Sequence, residues 1–455
     1  MEILDYFMKR LKEKEVDHAV LSFNAGHSRQ IKFSDNQTVK DSVETLSDVG
    51  IFVVKDKKIF TTTYKNTVNE SGLGSENSDL NEMNKKEMDR FVERIMKFLK
   101  TLHPKEDYMG LNNKTFKYKE IKQGYDKRIM NLNDHDYVQR GINAAFKEGA
   151  KRTNGIFEVH EAENTTLTSH GAEYSEKKSE LYFSMRSFIE KDESGHMNAL
   201  SRVVKGLNPE KLGSESGRIA KEAKNPVNGK RGNYDIIFSP MAIAPLLDSI
   251  GESASIFSVE SGMSFFTDKL GKKIGSDKIT IYDDGTLANG SGSTKADAEG
   301  VPAKKTALIE NGIYKNYLYN TSTARKYNVQ STGNAGLVTP DPWNIVVKPG
   351  NISLNEMVKS IKRGIYITNV WYTRFTSYST GDFSTIPRDG AFLIENGKVT
   401  KSLKGIRISE NVLRMLKNID AVGKKSVHLR SWEAELPVMT PHLLVRGCSI
   451  TTPTV

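Results

Sequence analysis

Histidine, cysteine and acidic side chains could bind a metal in this chain, but their spacing does not favour a metal site. A catalytic zinc needs two or three imidazoles or carboxylates on one face, with an acid–base residue beside the metal-bound water. No two histidines lie three, four or five residues apart, so no helix turn can present a pair. The nine histidines are His18, His27, His103, His135, His160, His170, His196, His428 and His442.

The segment nearest to a metal motif runs from His160 to Thr165 and begins His-Glu. Asn164 and Thr165 stand where a second histidine would be needed, and the surrounding sequence is polar and strand-like. We therefore expect no metal at His160.

Cys448 is the only cysteine of the chain. A single cysteine excludes an intramolecular disulfide and fits a reducing compartment. The nearest imidazole in the sequence is His442, and a structural thiol on a terminal strand is favoured over a nucleophile.

The glycine-rich stretch from Asp283 to Ser293 follows a predicted strand, as a phosphate-binding loop would. It lacks both the GxGxxG and the GxxxxGK[ST] spacing, and no helical pattern follows it. A flexible loop between strands is favoured. The serines and lysines show no local pattern that tests a serine-based mechanism.

The elements that must position these residues begin with a helix. Apolar residues recur at helical spacing from Ile3 to Leu11. Strands follow at His18–Phe23, Val49–Val54 and Ile59–Tyr64, with a turn at 55–58, and residues 65–78 form a predicted linker. A second helix presents a core-facing stripe that ends before Pro104. The stripe comprises Met88, Phe91, Val92, Ile95, Phe98, Leu99 and Leu102.

Further along, residues 155–189 are strand-like and residues 209–223 are helical. The basic, turn-rich segment 225–232 marks a domain boundary, giving predicted domains 1–225 and 226–455. The second domain opens with a strand at Tyr234–Phe238 and a helix at Met241–Ile250. Short strands then dominate, interrupted by one clear helix after the capping box of Ser353 and Glu356. Together, these predicted helices and strands indicate an α+β protein with a β-rich second domain.

Composition narrows the possible partners. The chain has 455 residues and a formal net charge of +10, but the basic residues are interleaved with acids. A solvated basic surface is favoured over a polyanion-binding role. No stretch approaches the roughly 18 uninterrupted apolar residues of a membrane helix, and the acidic start is not that of a secretory signal. We expect a cytoplasmic protein without a membrane partner.

A series of short segments after residue 233 keeps one order along the chain. They are Tyr234–Pro240, Gly262–Phe266, Lys269–Gly271, Ile279–Gly285, Asp297–Pro302, Thr323–Lys326, Ser331–Ala335, Arg363–Thr368, Thr380–Phe383 and Ile394–Gly397. In this order they resemble the PmbA (TldE) branch of the TldD/PmbA family, also described as candidate modulators of DNA gyrase. The N-terminal half resembles it more loosely, through Arg29–Asn36 and the hairpin after it. The resemblance implies that both predicted domains are of the TldD/PmbA type.

The resemblance further implies a cytosolic peptidase assembly. TldD-type subunits hold zinc on an HExxxH motif and on a cysteine near the C-terminus, and TldE-type subunits complete a dimer with them. The pair cleaves unfolded or extended peptides, including peptide-antibiotic precursors and a toxin's antitoxin.

Carried over to this chain, the zinc motif fails. Asp248 and Ser253 stand in place of the two histidines, and Ser249 stands in place of the glutamate. Asp248 and Glu252 could share a helix face and hold a cation weakly, although a solvated face is favoured. The zinc cysteine has no counterpart in residues 428–435.

We therefore expect no metal ligand, catalytic residue or cofactor in this chain, with zinc only in a TldD-type partner. The expected partners are such a zinc protease subunit, in a heterodimer, or a second copy of this chain, in a homodimer, together with an extended peptide. Two alternatives stay open: an independent hydrolase with an unrecognised site, and a nucleic-acid-associated regulator. The net charge prompts the second, although a nucleic-acid partner is the less favoured one.

Overall fold

The computed structural model of the chain describes residues 2–65, 78–190 and 193–452. The predicted linker at 65–78 falls on residues that, apart from its two ends, lie outside those ranges.

Helices and strands alternate in an α+β arrangement. The helices are α1 (Glu2–Glu13), α2 (Ser78–Thr101), α3 (Asp134–Lys147), α4 (Pro209–Glu222), α5 (Pro240–Ala254), α6 (Ile256–Glu260), α7 (Thr321–Lys326), α8 (Leu354–Lys359) and α9 (Val412–Lys417). The strands of the N-terminal half are β1 (His18–Ser34), β2 (Gln37–Lys55), β3 (Lys58–Lys65), β4 (Arg152–Thr168), β5 (Glu173–Phe188) and β6 (Ser194–Ser201). The later strands are β7 (Val227–Asn228), β8 (Gly232–Phe238), β9 (Ile281–Asp284), β10 (Lys305–Glu310), β11 (Ile313–Tyr314), β12 (Ile345–Val347), β13 (Arg363–Ser377), β14 (Asp382–Glu395), β15 (Lys398–Lys404), β16 (Arg407–Asn411), β17 (Ile419–Val422), β18 (Val427–Ser431), β19 (Ala434–Thr440) and β20 (Leu443–Thr451).

The first sheet is antiparallel throughout, in the order β3-β2-β1-β4-β5-β6. Two of its hairpins turn on pairs of residues with positive φ, Asp35-Asn36 and Asp56-Lys57, as type I′ turns require. Helices α1 and α2 bury apolar residues against one end of this sheet, and α3 covers the core at the other end.

The C-terminal half forms two sheets. One has the order β11-β10-β9-β12-β19-β18; the other has the order β13-β8-β20-β16-β14-β15-β7, with β17 added at β20. Helix α5 packs against β8 and β13 of one sheet and against β12, β18 and β19 of the other. Its apolar residues join the largest core of the described chain, so the helix is fixed on both sides.

The first helix, the turn at 55–58 and the capping box at Ser353 are confirmed. One member of the predicted α2 stripe is wrong: Phe98 is exposed and stacks on Phe60 at the surface, while Val92 and Ile95 are buried. The expectation of one clear helix among the late strands is also wrong, because α7 and α9 are present as well. The predicted boundary at 225–226 falls between α4 and β7.

Among the helices of the described ranges, none combines the length and the apolar character needed to cross a membrane.

Candidate functional site

Helix α5 carries the four residues that the sequence singled out. It begins at Ser239, whose hydroxyl oxygen accepts a hydrogen bond from the Ala242 N–H at 3.2 Å and donates to Thr368 O at 2.5 Å. Pro240 follows at the first helical position, where its missing N–H costs nothing. The last two turns then carry Asp248, Ser249, Glu252 and Ser253.

Asp248 is partly buried against β19. Its carboxylate accepts a hydrogen bond from the Leu436 N–H at 2.9 Å. Burial raises the pKa of Asp248 to about 7, the Leu436 hydrogen bond opposes the rise, and the charges of Glu252 and Glu435 add to it. The expectation of a solvated helix face is therefore wrong at Asp248, although Glu252 is exposed.

Ser249 and Ser253 both make local structural contacts, Ser249 through its side chain and Ser253 through its backbone. Ser249 donates its hydroxyl to Pro245 O at 3.0 Å, one helical turn back. Ser253 is buried, and its carbonyl accepts a hydrogen bond from Ser264 Oγ at 2.7 Å. The sequence did not reveal Glu435, which strand β19 brings into electrostatic range of Asp248 and Glu252. Within residues 2–65, 78–190 and 193–452, no three His, Cys, Asp or Glu side chains form a group that could hold a metal ion.

A cavity of about 460 Å³ opens between the two halves of the chain, near the end of β19. Strands β4, β5 and β6 form one wall, and β13, β14 and the β18–β19 turn form the other. Glu433 lines the cavity, and Leu436, whose N–H binds Asp248, lies three residues further along the chain, so Glu433 and Leu436 are at most about 11 Å apart. The α5 residues and this cavity therefore belong to one region.

An ionic network includes three of the residues that line the cavity, Arg186, His196 and Asn369. The side chain of Asp389 is fully buried, and its Oδ1 lies 2.9 Å from Arg186 Nε. Ser194 Oγ and Asn369 Nδ2 each donate to the same carboxylate at 2.8 Å. Burial is the largest single effect and opposes ionisation, but the charge of Arg186, the neighbouring His196 and the hydrogen bonds from Asn369 and Ser194 together hold the pKa of Asp389 below its usual range. The network therefore neutralises the charge of Arg186.

His196 lies in the same network. Its Nε2 is 2.8 Å from Ser184 Oγ, and its Nδ1 is 3.2 Å from Asn369 Nδ2. An amide nitrogen can only donate, so Nδ1 accepts and the His196 proton resides on Nε2. Burial lowers the pKa of His196 to about 4, which keeps the ring neutral at pH 7.

The outer rim of the cavity is aromatic and basic. Trp432 is 94% exposed, Trp371 is 43% exposed, and the guanidinium of Arg388 lies 4.5 Å from the centre of the Trp371 ring. The neighbouring Tyr372 has a positive φ of 57° at an irregularity in the pairing of β13 with β14. Glu433 stabilises this distortion by accepting hydrogen bonds from the Tyr372 and Thr373 N–H groups at 3.0 and 2.8 Å. The bulge aims Tyr372 outward beside Trp371.

Comparison with protein-family models matches residues 231–452 to the PmbA/TldA metallopeptidase C-terminal domain. Residues 231–452 are therefore a C-terminal domain of the PmbA/TldD family. It is similar to a metalloprotease of Methanocaldococcus jannaschii, with 34% identity over 51% of this chain and 54% of the relative. It is also similar to the metalloprotease PmbA of Escherichia coli O157:H7, with 28% identity over 69% of each chain. The chain spans about half the length of the archaeal metalloproteases it matches.

Two solved structures share the family's fold with this chain. TldE from Thermococcus kodakarensis gives a TM-score of 0.84 at 23% identity, over 97% of this chain and 98% of the other. A candidate modulator of DNA gyrase from Thermotoga maritima gives 0.84 at 22% identity, over 99% of both chains. The fold likeness therefore extends across both halves.

The remaining sequence candidates lie apart from this region. His160 lies on β4, with its Nε2 3.6 Å from a Glu158 oxygen. Cys448 lies buried on the last strand β20, as predicted, and burial raises the pKa of its thiol well above the usual range. The stretch 283–293 connects β9 to β10 without a helix and packs closely: a Cβ added at Gly292 would lie 1.9 Å from Trp343 O.

One imidazole pair escaped the sequence analysis. His18 Nδ1 and His170 Nε2 lie 2.8 Å apart, although the two residues are far separated in sequence. Burial lowers the pKa of both rings, and the charge of Arg325 lowers them further. Only strand pairing brings these residues together, so no local spacing could have indicated the contact.

Proposed function

We propose that this chain is the zinc-free, TldE-like subunit of a TldD-type peptidase assembly in the cytoplasm. The observation that carries the proposal is the state of α5. Asp248 binds a backbone N–H, Ser249 bonds within its own helix and Ser253 is buried, so none of these positions offers the imidazole or general base of an HExxxH helix. Similarity to named metalloproteases supports membership of a peptidase assembly.

The role of this subunit is positional. The cavity between the halves, with its exposed indoles, holds part of an extended peptide while the partner subunit carries zinc and the hydrolytic chemistry. Ordering a peptide before reaction removes much of the entropic cost that the reacting subunit would otherwise meet. The partner is a TldD-type chain in a heterodimer, because a second copy of this chain, the other partner expected from the sequence, would bring no zinc ligands at its own α5.

An independent serine hydrolase is the second candidate, because Ser184 and His196 are in hydrogen-bond contact. A general base must accept the serine proton on an unprotonated nitrogen. In His196 the proton is on Nε2, the nitrogen that faces Ser184, and Nδ1 accepts a hydrogen bond from Asn369. In a catalytic triad the protonation is the opposite: Nε2 is free to accept the serine proton and Nδ1 carries the hydrogen. A fluorophosphonate probe that labels Ser184 in the lone chain would favour this second candidate; we expect no labelling.

The test of the leading proposal compares the lone chain with a mixture. The purified chain, a TldD-type chain from the same cell and their mixture are each passed over a sizing column and assayed on an extended fluorogenic peptide. We expect co-elution of the two chains and cleavage by the mixture, with no cleavage by this chain alone. A mixture with the partner's HExxxH glutamate changed to glutamine is the control, since it should assemble without cleaving. Failure to co-elute under all conditions, or cleavage by the lone chain, would overturn the proposal.

A further inference from the structure

Arg388 is the cation of the cavity whose charge is least compensated. The charges that act on it are those of Arg186 and Asp389, and these two form an ion pair with each other. Among the described residues, Arg388 donates no hydrogen bond and forms no ion pair, and its one recorded ring contact is with Trp371. Arg388 is exposed to the cavity; partial burial and the charge of Arg186 lower its pKa, while the charge of Asp389 raises it. Its guanidinium is therefore accessible to pair with a bound anion.

The shape of the site indicates what kind of anion fits. A cavity of about 460 Å³ is within the size range of small-ligand pockets, about 300–1000 Å³. It offers one uncompensated guanidinium rather than a row of cations, so it does not match the repeated phosphates of a nucleic acid. A guanidinium matches one carboxylate through two parallel N–H···O bonds.

The aromatic rim adds a second element of recognition. Trp371 and Trp432 lie beside Arg388 on the cavity wall and are 43% and 94% exposed. Tryptophan and arginine are the residues most enriched at binding hot spots, where the indole supplies contact area and the guanidinium supplies direction. Glu433 also lines the cavity, but both of its oxygens are engaged by backbone N–H groups.

We propose that this cavity binds a carboxylate of an extended peptide, with Arg388 pairing the anion and the two indoles packing an adjacent apolar side chain. The inference rests on the proposed function, because it names the class of peptide that this subunit would hold. The carboxylate is either an Asp or Glu side chain or a free C-terminus.

The test uses the full chain and three octapeptide probes. The first contains one glutamate next to a phenylalanine and has a free C-terminus; the second replaces the glutamate with glutamine; the third keeps the glutamate and has an amidated C-terminus. Binding is followed by quenching of tryptophan fluorescence and by calorimetry. We expect one of the two altered peptides to lose at least tenfold in affinity, which identifies the carboxylate that is read. Equal affinity for all three peptides would overturn the inference.

Variants of the chain assign the effect to the cavity. Arg388→Met should weaken binding of the first peptide about tenfold or more, and Arg388→Lys should recover only part of it, because lysine lacks the planar fork. Lys401→Met, which removes an exposed cation elsewhere, is the matched control and should bind as the unaltered chain does. The inference would be contradicted if the Arg388→Met chain bound the first peptide as tightly as the Lys401→Met chain does. It would also be contradicted if the unaltered chain bound an oligonucleotide more tightly than the first peptide.

The same variant separates this inference from the proposed function. If Arg388→Met still co-elutes with the TldD-type chain but no longer prefers acidic peptides, both ideas stand. If the unaltered chain co-elutes and shows no preference for a carboxylate, the inference alone fails. If it never pairs with such a chain yet binds acidic peptides through Arg388, only the proposed function fails.

Discussion

At the scale of single residues, Asp248 differs most from a surface acid. Its carboxylate is partly buried, receives one backbone N–H and faces the charges of Glu252 and Glu435. An imidazole at this position would be neutral and a good metal ligand, whereas a carboxyl with a pKa near 7 is half protonated at neutral pH. The substitution therefore changes the electrostatics of α5 as well as its ligand set.

The raised pKa of Asp248 predicts a pH-dependent effect of Asp248→Asn. The folded state binds the proton more tightly than the unfolded chain, so stability is full below the unfolded pKa of about 4 and falls as pH rises through 7. Asparagine cannot ionise and can still accept the Leu436 N–H. We expect the variant to gain stability over the original chain by on the order of 1 kcal/mol at pH 8 and by less at pH 5. Thermal melts at the two pH values measure the difference in stability between the variant and the original chain. A difference that becomes smaller toward pH 8 would contradict the raised pKa of Asp248.

At the scale of elements, the bulge in β13 depends on one side chain. Glu433 holds the Tyr372 and Thr373 N–H groups, and Tyr372 has the left-handed backbone that non-glycine residues avoid. Because the bulge orients Tyr372 beside Trp371, the shape of the cavity rim follows from this contact.

Glu433→Ala should therefore destabilise the chain by about 1–3 kcal/mol, because two backbone N–H groups lose their hydrogen bonds to a charged carboxylate. It should also weaken peptide binding, because the rim loses its shape. Glu435→Ala, two residues along the same segment, is the control: its side chain is exposed and makes no hydrogen bond to another described residue, so we expect little change in stability. Chemical denaturation of the two variants gives the comparison, and equal losses would refute the role given to Glu433.

The sequence predicted those elements whose local pattern is strong. Helix α1 has a continuous apolar stripe, the turn at 55–58 has turn residues, and α8 has its capping box. It missed the true length of β2, because residues 37–47 are almost all exposed and give no alternation. Helix α3 was missed too, since glycine and alanine make up much of its buried face.

The cavity could not be predicted for a different reason. Its walls come from strands separated by more than 200 residues, as the contact between Arg186 and Asp389 shows. Sequence spacing reports neighbours within a helix or hairpin and carries no signal for such pairs. The α5 position, by contrast, was identified because it lies within one contiguous motif.

At the scale of the whole molecule, Arg202 joins the two halves. It is only 1% exposed, follows β6 and donates from Nη1 to Gly290 O and Ser293 O of the β9–β10 connection, at 3.2 and 3.0 Å. Glu176 and Glu180 offset its charge, although burial still lowers its pKa. The cavity lies between these same halves, so their relative position is part of the site.

Arg202→Met should destabilise the chain by about 3–5 kcal/mol, because it removes a buried cation from partners that cannot replace it. Arg231→Met removes an arginine from an exposed position and should change stability by less than about 0.5 kcal/mol. Urea unfolding followed by circular dichroism compares the two. If Arg202→Met lowers the free energy of unfolding no more than Arg231→Met does, the contacts of Arg202 do not hold the two halves together.

The central claim is that the hydrolytic metal of the assembly belongs to another subunit. The most direct measurement is the zinc content per mole of the lone, purified chain, determined by mass spectrometry after zinc exposure and desalting, with peptide cleavage assayed on the same sample. The account predicts far less than one zinc per chain and no cleavage. One tightly held zinc per chain, together with cleavage that a chelator abolishes, would contradict it.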